Sequence, residues 1–105
     1  MALVKGSSSS ATPGAIYSST GDTAITFLSI TNVSATDATV NLYVVPAGSS
    51  ADNTTLLYKD LFLEASDTYQ VYIGGEKLLL SAGDGVYIST TVGSTITTLT
   101  SYTSI

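Results

Sequence analysis

The groups in this chain that could carry chemistry are few, and their spacing limits what they could do. There is no His, Cys or Trp, and Lys5, Lys59 and Lys77 are the only cations. A Ser or Thr nucleophile needs a general base, usually His or Lys, which leaves only a Ser–Lys arrangement through Lys59 or Lys77. Both lysines fall in strand-and-turn patterns, where a solvated side chain is the simpler reading. Asp60 and Glu64 form the closest candidate carboxylate pair. On a strand they would share a face about 13 Å apart, at about 3.3 Å per residue, too far for either glycosidase geometry. They read instead as a strand-surface carboxylate beside Lys59 and a turn carboxylate.

Metal binding fares no better. Calcium needs clustered oxygen ligands, whereas Asp22, Asp37, Asp52, Asp67 and Asp84 each stand alone in a separate turn signal. They read as turn-formers, since Asp can bond its own backbone two residues on; several turns gathered at one end could make a weak calcium site at a subunit junction. Gly74-Gly75 and Gly83-Asp84-Gly85 are not phosphate loops, because no helix start follows to supply oriented amides. No catalytic, cofactor or metal residue is assigned, and the chain is expected not to be an enzyme.

The tyrosines are the more informative group. Tyr43, Tyr58, Tyr72, Tyr87 and Tyr102 recur about every fifteen residues, the length of one short strand plus one turn. Such a rhythm could place a band of phenols on one sheet to stack on sugar rings. Tyr is also a good strand residue whose polar tip suits a sandwich rim or a subunit interface. With Trp absent, interface or core-rim positions are the favoured reading for all five.

Positioning these residues requires β structure. The chain has 105 residues, room for one domain, with 44% hydrophobic residues and only 10% charged ones, against about 25% charged in an ordinary soluble domain. Ser and Thr fill the gap, at about a third of the chain, roughly double their average share. With few charges to guard strand edges, such a surface tends to pair with other chains, so a life in an assembly is expected. A net charge of −5 argues against nucleic acid, which needs several cationic phosphate contacts. No apolar run is long enough for a signal peptide or a membrane span, so synthesis in a cytoplasm and no membrane partner are expected.

Residues 1–14, with Ser7 to Ser10 and then Ala11-Thr12-Pro13-Gly14, read as a flexible Ser-rich arm, because they offer little apolar surface to offset ordering entropy. Residues 15–105 read as one domain. A short strand from Ala15 to Ser19 ends in the turn Thr20-Gly21-Asp22. Alternation fails between Ile25 and Phe27 on one side and Leu28 and Ile30 on the other, which predicts burial on both faces or a bulge near Phe27. Val40, Leu42 and Val44 alternate until Pro46-Ala47-Gly48 stops the strand, and Ser34 to Asp37 would join these two strands as a hairpin. Ser49 to Thr54 reads as a loop, and Leu56 to Leu63 as a strand whose nearly continuous apolar run is broken by Lys59-Asp60. Leu63-Glu64-Ala65-Ser66-Asp67 is echoed by Leu80-Ser81-Ala82-Gly83-Asp84. Strands near Tyr69, Leu78 to Leu80, Val86 to Thr90 and Thr95 to Ile105 complete the pattern, with tight turns at Gly74-Gly75 and Gly93-Ser94. The expected architecture is all-β: a single antiparallel β-sandwich of about eight strands, jelly-roll-like or Greek-key, with an extended N-terminal arm. A small up-and-down barrel is the alternative.

Three stretches carry a resemblance. They are Leu56-Leu57-Tyr58-Lys59-Asp60-Leu61-Phe62-Leu63-Glu64-Ala65-Ser66-Asp67-Thr68, Lys77-Leu78-Leu79-Leu80-Ser81-Ala82-Gly83-Asp84-Gly85-Val86-Tyr87-Ile88, and Thr100-Ser101-Tyr102-Thr103-Ser104-Ile105. Their order of tyrosine-leucine strand, small-residue turn, leucine-rich strand and alanine-glycine-aspartate turn resembles a family of small virion proteins of tailed bacteriophages. It departs from that pattern at Ser66, where glycine is frequent. The resemblance implies a non-enzymatic structural role in a virion, commonly as a trimer. The expectation is a capsid decoration or cement protein bound to itself and to the major capsid protein or other virion proteins. A neck, tail or fibre-attachment component and a host-glycan-binding module using Tyr72 or Tyr87 are the alternatives. Contacts are expected in the arm, at Leu3, Val4, Lys5, Ser10 and Pro13, and at Tyr43, Tyr58, Tyr72, Tyr87 and Tyr102, with the Ser49 to Thr54 loop second. No cofactor is implied.

Overall fold

A computed structural model describes residues 2–8, 12–71, 78–90 and 95–105. Among these residues nine strands follow one another: β1 Ala2–Ser8, β2 Gly14–Ser18, β3 Thr23–Asn32, β4 Ala38–Val45, β5 Leu56–Leu63, β6 Thr68–Val71, β7 Leu78–Leu80, β8 Gly85–Thr90 and β9 Ile96–Ser104. They form two antiparallel sheets: sheet A with the order β1-β9-β3-β6, in which β7 also pairs with β3, and sheet B with the order β2-β8-β4-β5. β7 meets Thr23 to Ile25 and β6 meets Leu28 to Thr31. The two short strands are therefore successive halves of one edge along β3.

Counting those halves together, the pairing is nested. β4 pairs with β5, β3 with β6 and β7, β2 with β8, and β1 with β9. The chain is one long antiparallel hairpin, wrapped so that successive rungs fall in alternate sheets and β9 also meets β3 and β8 also meets β4. That wiring is a jelly roll.

The alternation anomaly in β3 has a local cause. The register with β9 shifts between Ile25 and Phe27, so Thr26 is an extra residue and the inward parity changes across it. Thr23 and Ile25 are buried before the bulge, and Leu28, Ile30 and Asn32 after it. Between the sheets Ile30, Val40, Leu42, Leu63, Val86, Ile88 and Ile96 are essentially without exposure, and each such burial is worth about 1.5–3 kcal/mol.

Two expectations change. Residues 33–37 do not close a hairpin, because β3 belongs to sheet A and β4 to sheet B. Buried Asn32 accounts for this: its Nδ2 donates to the Thr36 carbonyl at 2.8 Å and to the Leu63 carbonyl of sheet B at 3.2 Å, while Ser34 N donates to its Oδ1 at 3.0 Å. A satisfied buried amide steers the chain across the sandwich. The second change concerns residues 1–14. Ala2–Ser8 is not a free arm but the edge strand of sheet A, in register with β9 from Ala2 opposite Tyr102 to Ser8 opposite Ile96. Gly6 makes that docking possible, since a Cβ there would stand 2.8 Å from Thr98 Oγ1 and 3.1 Å from Ile16 Cβ.

The echoed turns are the same object. Asp67 N donates to the Glu64 carbonyl and Asp84 N to the Ser81 carbonyl, with positive φ at Ser66 (65°) and Gly83 (89°). Both are type II turns, so Ser66 adopts the left-handed backbone that glycine would provide without strain. The Gly74-Gly75 and Gly93-Ser94 turns lie outside the described residues.

Candidate assembly surface

Residues opposite one another in an antiparallel ladder share a face, which allows the outer face of sheet A to be built from its registers. Leu3 lies opposite Ser101 and Lys5 opposite Leu99. Across β9, Ser101 meets Phe27 and Leu99 meets Ser29, and Ser29 meets Gln70 on β6. Leu79 of β7 lies opposite Ala24. Leu3 is 67% exposed and Leu79 63%, and Leu99 is also exposed. Among the described residues no acid falls within the five strands of sheet A, and Lys5 is the one charged residue in them. Hydroxyls fill the remainder, with Thr26 donating to the Ser101 carbonyl at 3.2 Å and Thr31 and Thr68 joined at 3.0 Å. The result is a face of leucine, serine and threonine with a single ionic group.

The arm residues divide between surface and core. Leu3 and Lys5 point outward and are exposed, whereas Val4 is partly buried against the core. Pro13 is half-buried in the connection from β1 to β2, and Ser10 lies outside the described residues. The loop through Ser49 to Thr54 is held by Asp52, which accepts from Thr54 N at 2.9 Å. Hydrogen bonds from Thr54 side chain and backbone hold this carboxyl below its usual range. Asp84 is likewise lowered, by hydrogen bonds from Ser81 N at 2.8 Å and Ala47 N at 2.9 Å. It ties the turn after β7 to the turn after β4. Asp37 accepts from Ala65 N at 3.0 Å. Asp52 serves its own loop, while Asp84 and Asp37 each brace a neighbouring turn.

The rhythmic tyrosines do not form one band. Tyr43 and Tyr87 sit opposite each other on β4 and β8, outside the core cluster on the outer side of sheet B. Tyr43 is only 8% exposed and its hydroxyl is 3.4 Å from Ser89 Oγ. Tyr87 lies over Gly85, where a Cβ would come within 2.9 Å of its ring. Tyr58 and Tyr102 turn inward instead and pack against the core. Tyr72 lies outside the described residues. The inward pair act at opposite flanks of the sandwich with partners off the fifteen-residue rhythm. Tyr58 meets Tyr69 edge-on at 5.8 Å between ring centroids, and Tyr102 meets Tyr17 at 4.9 Å and 42°. The hydrogen bond with Tyr69 raises the Tyr58 phenol above its usual value, burial adding to it. Tyr69 was signalled by alternation along β6; for Tyr17, one tyrosine in a short strand, the sequence offers no comparable signal.

Beside the Tyr17–Tyr102 contact the flank opens into a cleft of about 500 Å³ lined by Val4, Ile16, Tyr17, Thr23, Tyr102 and Ser104 among others. Behind Tyr17 and Thr23 of its lining lies a hydroxyl cluster. Ser19 Oγ lies 3.1 Å from Thr23 Oγ1, both hydroxyls reach the Gly21 carbonyl, and Tyr17 OH donates to Thr23 Oγ1 at 3.5 Å. Among the described residues its lining holds no carboxylate, lysine or thiol.

Comparison with known protein families, curated proteins and solved structures finds no match to this chain.

Proposed function

We propose that the protein is a structural subunit of a bacteriophage virion: a capsid decoration protein that associates with itself and with the major capsid protein to stabilise the head. The observation that carries this reading is the outer face of sheet A, where exposed Leu3, Leu79 and Leu99 stand among hydroxyls with one charge. A face so poor in ions loses little on desolvation, because removing serines, threonines and leucines from water avoids the several kcal/mol that each buried ion costs. The mechanism is mechanical. Each copy buries about 800 Å² per partner, as in a standard interface, and repetition over a lattice turns modest contacts into lasting attachment.

Quantitative mass spectrometry of purified particles containing the chain tests the reading. A copy number near that of the capsid lattice positions is expected. A few copies per particle would place the protein at the neck or tail, and its absence from particles would end the virion reading. Leu3→Glu with Leu99→Glu should abolish attachment while leaving the circular dichroism spectrum unchanged, since both side chains point outward.

A further inference from the structure

A β-sandwich has four strand edges, and in this molecule three of them are spoiled for pairing. The edge at β2 carries a register shift between Ala15 and Tyr17. The edge at β5 has two shifts, and it presents Lys59 and Asp60, the latter at φ 54° and held by its N–H to Asn41 Oδ1 at 2.8 Å. The edge along β3 is shared by two separate strands, β6 opposite residues 28–31 and β7 opposite residues 23–25. Bulges, edge charges and short strands are the devices by which sheets avoid pairing with other chains. The fourth edge, β1, carries one charge, Lys5, but no bulge and no interruption. It runs seven residues, contains no Pro and keeps unbroken register with β9 along its whole length.

We infer that β1 is a strand-addition site whose occupant is β1 of a second copy, joined antiparallel about a two-fold axis into one sheet continuous across both molecules. Charge selects this partner and this edge. Two copies, each at −5, repel wherever their acids face one another, but the described strands of sheet A hold no acid, and β1 contributes only Lys5. An edge strand turned upon itself presents donors to acceptors by symmetry, so one surface serves both sides of the contact.

The side chains narrow the register. Outward Leu3, Lys5 and Ser7 must meet outward residues of the other copy, or the pleats would not match. Setting Lys5 opposite Lys5 of the second copy is disfavoured by like charge. Setting Leu3 opposite Lys5 avoids that and covers an exposed leucine with the lysine's aliphatic stem. This inference rests on the assembly reading above and specifies the contact. It replaces the three-fold symmetry implied by the family resemblance with a two-fold.

The chain has no Cys, so engineered thiols report the contact cleanly. In sedimentation velocity the full chain should be a dimer at tens of micromolar. Under mild oxidation a mixture of L3C and K5C proteins should cross-link more than either alone, and F62C, exposed on sheet B, should not. L3K, which sets two lysines opposite each other, should weaken dimerisation at least tenfold without moving the thermal midpoint. A monomer at 100 micromolar overturns the inference, as does a trimer, or a dimer that cross-links through F62C and not through β1. Those results are distinct from failure of the virion reading, which is judged by particle copy number: a monomer abundant on heads would refute the strand pairing alone, and a β1-linked dimer absent from particles the virion role alone.

Discussion

At one flank of the sandwich β5 lies over β6, at the other β1 and β9 lie over β2, and each flank has a pair of tyrosines between the sheets. At the first, Tyr58 and Tyr69 share a hydrogen bond and an edge-on contact, and both neighbouring edges are interrupted. At the second, Tyr17 bonds to a threonine and not to Tyr102, the cleft opens beside them, and β1 runs uninterrupted. The same residue type therefore closes one flank and lines an opening at the other. What differs is the backbone around it. Bulges at β5 twist and charge one edge, while a regular strand on a glycine leaves the other available.

The largest test of this contrast is Gly6→Val. Its side chain would enter space held by Thr98 and Ile16, and overpacking of this kind costs about 1–3 kcal/mol. Urea unfolding should register the loss. Hydrogen exchange should show protection falling in β1 and β9 but not in β5 and β6; a uniform loss would mean that the flanks are not separable units.

Tyr58→Phe should lower stability in urea unfolding more than Tyr17→Phe, whose bond to Thr23 Oγ1 is long at 3.5 Å. The two also differ in alkali. The Tyr58 phenol is raised in the fold, so the unfolded chain loses that proton first, and the contribution present below about pH 10 declines as pH rises. Tyr58→Phe should flatten the alkaline limb of stability against pH.

Smaller effects come from the echoed turns. Ser66→Gly should stabilise the β5–β6 connection by about 0.5 kcal/mol, relieving a non-glycine residue at positive φ. Asp84 is lowered in the fold, so its contribution is present above the usual carboxylate range and fades as pH falls below about 4. Asp84→Asn should reduce the acid sensitivity of the melting temperature.

Much of this was legible before any coordinates. The parity change near Phe27 pointed to two-sided burial or a bulge, and the bulge is there; the repeated Leu-x-Ala-x-Asp turns share one geometry. Sheet membership was not legible, because alternation tells which side of a strand is buried but not which sheet holds it. Thus β3 and β4 looked like a hairpin until Asn32 was seen bonded across the sandwich to Leu63. The serine-rich start misled for a related reason. Its composition argues weakly for order, and only the fit of Gly6 against Thr98 and Ile16 shows that a strand belongs there. The tyrosine rhythm reported strand spacing faithfully and said nothing about direction, so Tyr43 and Tyr87 face out while Tyr58 and Tyr102 face in.

Because Ala2 lies opposite Tyr102, β1 leaves the ribosome about a hundred residues before the strand that gives it a ladder. Until β9 emerges, β1 has no ladder and presents no ordered edge. Any pairing through the β1 edge therefore waits on the synthesis of β9.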